Sequence, residues 1–251
     1  MGPVSDRGWA LVTGAGRRIG AALAIATAEA GFDVIVHHRG SAEEAGATAG
    51  RIKALGRRAI ARAGDLADPS DCTRLVEATP GALTLLVNSA SLFEDDSAET
   101  LDVAAYEATM AVNLRAPLLL AQAMAAALPA DRTGLIVNLT DQRVWRLTPR
   151  FFTYTLSKAG LWTATQTLAQ ALAPRIRVNA IGPGPTLPSV HQSEAEFAAQ
   201  AAAVPLERGP TPADIAAALT YLIDAAAVTG QMIAVDGGQH LAWRTPDAIH
   251  G

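Results

Sequence analysis

A chain of 251 residues, half of them hydrophobic and 18% charged, holds enough apolar material for one large α/β domain or two small ones. A formal charge of −4 with scattered arginines excludes the concentrated basic face that nucleic-acid binding requires. The lone Cys72 excludes an internal disulfide and a cysteine-based zinc site, and it reads as a small buried hydrophobe.

The first residues, MGPVSDRGWALVTG, contain no apolar core of a signal peptide, and no run approaches about 18 uninterrupted apolar residues, so a cytoplasmic protein is expected. In chain order, short β-branched or apolar runs predict strands at 9–13, 33–37, 59–63, 83–88, 134–139, 177–180 and 232–235. Helical segments are expected between them at 19–30, 42–55, 69–78, 101–128, 152–173 and 212–225. This alternation predicts right-handed βαβ crossovers and a single α/β Rossmann-type domain over 1–251. Its seven-stranded, mostly parallel sheet would carry helices on both faces. Segment 191–204 is either a mobile lid helix or a surface helix, and the Pro/Gly cluster at 182–188 looks like a substrate loop.

Between the first strand and first helix stands Thr13-Gly14-Ala15-Gly16-Arg17-Arg18-Ile19-Gly20. Glycines there let the backbone turn tightly and approach a pyrophosphate at the helix N-terminus. The second strand ends His37-His38-Arg39-Gly40-Ser41, without the acid that would bind a ribose 2′-hydroxyl. Arg17, Arg18, His38 and Arg39 together suit a 2′-phosphate, so NADPH is expected rather than NADH. Asp65, after the third strand, is placed to accept from the adenine amino group. Asn88-Ser89-Ala90, after the fourth, would approach the other half of the cofactor.

Lysine occurs only at 53 and 158, and tyrosine only at 106, 154 and 221. Tyr154 and Lys158 fall four apart on one predicted helix and therefore share a face. An ammonium there would lower the phenol's pKa from about 10 toward working pH, and the Tyr would exchange a proton while a nicotinamide moves hydride. The bland alternative is a core Tyr beside a solvated Lys.

With these pieces the chain resembles the short-chain dehydrogenase/reductase family over nearly its whole length. The matching residues are 13–20, Asp65-Leu66, Asn88-Ser89-Ala90, Asn113, Tyr154-Thr155-Leu156-Ser157-Lys158, Pro183-Gly184 and Val235-Asp236-Gly237-Gly238. The resemblance implies that Asn113 holds a water in a proton relay, that Lys158 also binds the nicotinamide ribose, and that the chain forms a homotetramer through helices 101–128 and 152–173. Two departures refine it: Arg18 stands where most members have a third Gly, and Asp141 where most have a catalytic Ser. An ionised carboxylate would repel a developing alkoxide, which favours hydride transfer to a C=N bond, with Asp141 and Tyr154 delivering the proton. Both departures are similar to pteridine reductases and dihydromonapterin reductases, which also share a Ser and a Phe matched by Ser91 and Phe93. That likeness implies a pterin stacked between nicotinamide and Phe93, held with help from Arg18 and Ser91. The alternative for Phe93 is a loop aromatic that packs on the core. Two other readings stay open: an NADPH-dependent reductase of a ketone, sugar or acyl substrate with Thr140 as hydroxyl donor, and a protein that senses NADPH without turnover.

Overall fold

The computed structural model describes residues 7–189 and 192–243. Strands β1 (Trp9–Val12), β2 (Asp33–His38), β3 (Ala59–Ala63), β4 (Leu83–Asn88), β5 (Gly134–Leu139), β6 (Ile176–Pro183) and β7 (Met232–Val235) form one sheet in the order β3-β2-β1-β4-β5-β6-β7. Every neighbouring pair is parallel, where the sequence led to a mostly parallel sheet. The order reverses between β1 and β4, and a crevice opens there beyond the carboxyl ends of the strands.

Side-chain alternation divides the core in two. Val12, Val36, Val87 and Val137 pack under α1 (Arg18–Glu29), α2 (Ala42–Ala54) and α8 (Pro212–Asp224). Leu11, Ile35, Leu86 and Ile136, each one residue out of step with those, pack under α3 (Pro69–Glu77), α5 (Ala116–Ala127) and part of α6 (Phe152–Leu172). Each fully buried leucine contributes roughly 1.5–3 kcal/mol of apolar transfer, so the two-faced sheet is the main source of stability.

The structure changes some expected boundaries. The helix expected over 101–128 starts at Val103, because Asp102 caps it by accepting the Ala105 N–H at 2.8 Å. α4 (Val103–Met110) then passes through a π-turn at Ala111–Arg115 before α5. That extra residue per turn turns Asn113 inward, where it is 1% exposed. Strand β6 runs past the expected 177–180, because β5 and β7 both pair with it. By length and composition Val103–Ala127 is apolar enough to cross a membrane, yet Ala116, Leu120, Ala121 and Met124 are fully buried in the second core. Of segment 191–204, His191 lies outside the described residues. The remainder contains α7 (Glu194–Ala202), closed by a Ser193/Glu196 capping box and burying none of its residues, as a surface helix does.

Candidate active site

The glycine-rich turn is held by side chains on both neighbouring strands. Thr13 Oγ1 accepts the backbone N–H groups of Ser89 (2.9 Å) and Ala90 (3.0 Å), drawing the ends of β1 and β4 together. His37 Nδ1 accepts the Gly14 N–H and its Nε2 donates to the Gly64 carbonyl, each at 3.1 Å. Burial pushes the His37 pKa down to about 4, so the ring stays neutral and can both accept and donate. Gly14 has a φ of +64°, and a Cβ there would lie 2.9 Å from the Ala90 Cα. At Gly20 a Cβ would lie 2.1 Å from the Gly14 carbonyl oxygen. Only glycine fits either place. His37 was not among the residues singled out from sequence. The His-His pair was visible, but register with β1 decides which ring meets the turn.

A cleft of about 620 Å³ runs from this turn past Arg17, Arg18, Ile19, His38, Arg39 and Asp65. The side chain of His38 is buried with Nδ1 unpartnered, while Arg17 and Arg39 are exposed. One Asp65 oxygen already accepts the Ala67 N–H at 2.9 Å, and the Leu66 side chain is buried in the core. Glu44 also lines the cleft, a carboxylate that the sequence reading passed over.

Arg18 departs from its expected place. Its guanidinium donates to the Pro188 carbonyl at 2.8 Å, so it bridges to the loop after β6 instead of joining Arg17 and Arg39 at the phosphate end. Its φ of +55° explains why glycine is the usual occupant: left-handed backbone costs a residue with a Cβ about 1–2 kcal/mol.

A second cavity of about 190 Å³ shares Arg18, Ile19, Ser89 and Ser91 with the first and ends at Asp141, Tyr154, Lys158, Pro183 and Gly184. Here the Tyr154 hydroxyl donates to Asp141 Oδ2 at 2.9 Å. The other carboxylate oxygen accepts the Arg143 N–H at 2.8 Å, and the Arg143 Nε lies 3.9 Å from it. Burial pushes the Asp141 pKa up, against the pull of Arg143. Burial and the Asp141 charge push the Tyr154 phenol well above its ordinary value. Lys158 donates to the Leu139 carbonyl at 2.7 Å, and burial lowers its pKa to about 8. Its Nζ is 5.6 Å from the Tyr154 ring centroid. The expectation that Lys158 acidifies Tyr154 is therefore corrected: Asp141 is the nearer charge, and it holds the phenol protonated.

Asn113 Oδ1 accepts the Leu92 N–H, while its Nδ2 donates to the Leu92 carbonyl and to Ser157 Oγ, so the side chain organises the chain after β4. Ser157, itself bonded to the Tyr154 carbonyl at 2.7 Å, ties that arrangement to α6. Asn88 and Asn138 lie side by side at the ends of β4 and β5. Asn88 Nδ2 donates to Asn138 Oδ1 at 2.8 Å, and Asn138 passes the link to Thr165 of α6. The Thr140 hydroxyl donates to the Ile181 carbonyl at 3.0 Å, so the register places Asp141, not Thr140, against Tyr154.

Phe93 stacks on Phe151 at 4.3 Å with 15° between the rings and meets Tyr154 edge-on at 4.7 Å. One face of Phe93 is covered by Phe151, and Phe93 lines neither cavity. Phe151, with a φ of +55°, caps α6 without a side-chain bond of its own. Asp96 caps it from the other segment, accepting the Thr153 N–H at 3.1 Å and the Thr153 hydroxyl at 2.6 Å. A carboxylate at a helix N-terminus is worth about 0.5–2 kcal/mol. This one also joins the Ser91/Phe93 segment to the helix bearing Tyr154. Neither Asp96 nor Phe151 was legible as a site residue, because each acts across more than fifty positions of sequence.

The family described as Enoyl-(Acyl carrier protein) reductase matches residues 14–240. An uncharacterized oxidoreductase of Mycobacterium tuberculosis is 36% identical over 245 residues, covering 91% of this chain and 90% of the relative. A 3-oxoacyl-[acyl-carrier-protein] reductase of Synechocystis sp. is 32% identical, covering 91% of this chain and 95% of its own. Among solved structures, FolM Alternative dihydrofolate reductase 1 from Brucella canis, complexed with NADP, superposes with a TM-score of 0.91 at 50% identity. It covers 95% of this chain and 96% of that one. The Brucella suis counterpart, also with NADP, gives a TM-score of 0.92 at 48% identity, covering 97% of this chain and 98% of that one.

Proposed function

The chain belongs to the short-chain dehydrogenase/reductase family, and on that premise we propose that this NADP-dependent oxidoreductase reduces a dihydropterin-like substrate. The observation that carries the reading is the 2.9 Å contact between Tyr154 and Asp141, a carboxylate at the position where carbonyl reductases of this family place a hydroxyl. The two FolM structures named as alternative dihydrofolate reductases support it.

The residues present fit NADPH. Gly14 lines the cleft with Arg17, His38 and Arg39, and the two exposed guanidinium groups there would give a 2′-phosphate its donors. Bound NADPH supplies the hydride, to the carbon of a C=N bond. Tyr154 holds the proton that the nitrogen collects, at an oxygen already hydrogen-bonded to Asp141. Lys158, its ammonium on the Leu139 carbonyl, would bind a ribose hydroxyl of the nicotinamide half. Arg18 and Ser91 stand between the two cavities, where they would hold the substrate beside the cofactor. Phe93 would stack on that substrate with the ring face that Phe151 leaves open, or with the other if the pair parts.

NADPH oxidation is to be followed with dihydrobiopterin, with dihydrofolate and with a ketone panel. Turnover of the pterins supports the proposal, and turnover of ketones alone removes it. The carbonyl alternative has the 3-oxoacyl reductase relatives in its favour, and the Thr140–Ile181 bond and Asp141 against it. Binding of NADPH with no turnover of either class would favour the sensor. Arg18→Gly is expected to relieve left-handed strain, leaving the free protein as stable or about 1 kcal/mol more stable to urea. It should also raise the substrate KM roughly tenfold through loss of one charge-assisted hydrogen bond. A variant that loses stability without a change in KM would show that Arg18 only staples the loop at Pro188. As part of the same proposal the protein is cytoplasmic and a homotetramer, associating through helix faces that leave Val103, Leu118 and Leu156 exposed. A monomer by light scattering removes that part.

A further inference from the structure

Arg143 was not singled out from sequence, and the mechanism above does not use its side chain. Its guanidinium is carried by a short 3-10 turn (Gln142–Val144) directly after Asp141. The side chain is only 16% exposed, lying over Phe151 at 4.7 Å and Phe93 at 5.7 Å from the ring centroids. Its nearest ionic partner is Asp141, at 3.9 Å from Nε, too long for a full hydrogen bond. Its guanidinium, with five donors, makes no hydrogen bond to any of the described residues. A cation so desolvated, facing a carboxylate and two ring faces, acts chiefly through its charge.

We propose that Arg143 is a positioning residue that keeps Asp141 ionised beside Tyr154, so that the phenol enters each cycle with its proton in place. Asp141 sits where burial favours the neutral acid, and two cations oppose that: Arg143 from the 3-10 turn and Lys158 from α6. Lys158 is directed to the Leu139 carbonyl and has itself become easy to deprotonate, so its charge fades as pH rises through about 8. Arg18, from α1, lines the same cavity but is directed to Pro188. Tyr154 is the remaining titratable neighbour, and it donates to the carboxylate. Arg143 is therefore, among the described residues, the cation nearest Asp141 that keeps its charge at every working pH. Because it rests on the Phe93–Phe151 pair, opening of that stack would also move the cation that sets the charge of Asp141. Substrate entry and the proton state of the site would then be linked.

The inference rests on the proton-pair reading of Asp141 and Tyr154, and its test needs no pterin. The Asp141 carboxyl carbon is to be titrated by 13C NMR in the full-length chain, its signal identified by its absence in Asp141→Asn. In Arg143→Met the midpoint should rise by about one unit or more, as for a carboxyl that loses a cation within about 4–6 Å. Arg143→Gln, a neutral polar side chain, should show the same rise and serves if the Met variant does not fold. Arg143→Lys should stay within about half a unit of the unsubstituted chain. An unmoved midpoint in the neutral variants overturns the proposal. An equal rise in Arg143→Lys also overturns it, since shape and not charge would then be at work. Failure of dihydropterin turnover would leave this titration untouched, so the two ideas fail separately.

Discussion

Tyr154→Phe is expected to lower kcat/KM for dihydropterin reduction by about 10²- to 10⁴-fold, the range set by loss of a positioned general acid. NADPH affinity should be unchanged. The ring is retained, and with it the edge-on contact to Phe93 and the packing of α6. What disappears is the hydroxyl, and Asp141 Oδ2 loses its donor. The cost to folding is about 1.5–3 kcal/mol, as for one hydrogen bond to a charged group, and it does not by itself slow the folded enzyme. Stopped-flow oxidation of NADPH together with a urea denaturation curve separates the two effects. A variant with more than about a tenth of the original rate would exclude the phenol as proton donor.

Asp141→Ser is expected to exchange one chemistry for another. With the carboxylate gone, dihydropterin turnover should fall by about 10²-fold or more, the usual cost of removing a group that moves or holds the transferring proton. The new hydroxyl can donate to a carbonyl oxygen and to the alkoxide that forms on it, which an anion at that place repels. Ketone reduction should therefore become measurable. The geometry makes the experiment selective, because the Asp141 backbone is fixed by strand β5 and the following turn. Thr140 just before it stays bonded to Ile181 and cannot take over as donor. The ratio of the two turnover numbers is the quantity to compare. A variant that kept full dihydropterin activity would show that the carboxylate has no part in the reaction and would return the chain to ordinary carbonyl reduction.

The two experiments meet at the Phe93–Phe151 stack. The likeness to pteridine reductases implies Phe93 as a wall for a flat ring, and in the structure one face of that ring stacks on Phe151. Both statements hold if the stack is the closed form of the pocket and a substrate ring takes the place of Phe151. The left-handed backbone of Phe151 and the two arginines over its ring, Arg143 at 4.7 Å and Arg150 at 5.3 Å, make this the segment where such a change would register.

The amino-acid sequence by itself determined what depends on neighbours along the chain. Alternating strand and helix patterns specified the sheet, the crossovers and the place of the glycine-rich turn. The spacing of Tyr154 and Lys158 put both on one helical face, since 3.6 residues make a turn whatever surrounds them. Tertiary structure alone decided which of two adjacent histidines grips the turn, where Arg18 is directed, what caps α6, and which charge governs the Tyr154 proton. The physical reason is that Lys158 lies a helical turn away from Tyr154 in sequence, while Asp141 reaches the phenol only because β5 and α6 pack together. In a desolvated site a hydrogen-bonded charge at 2.9 Å outweighs one held 5.6 Å from the ring centroid.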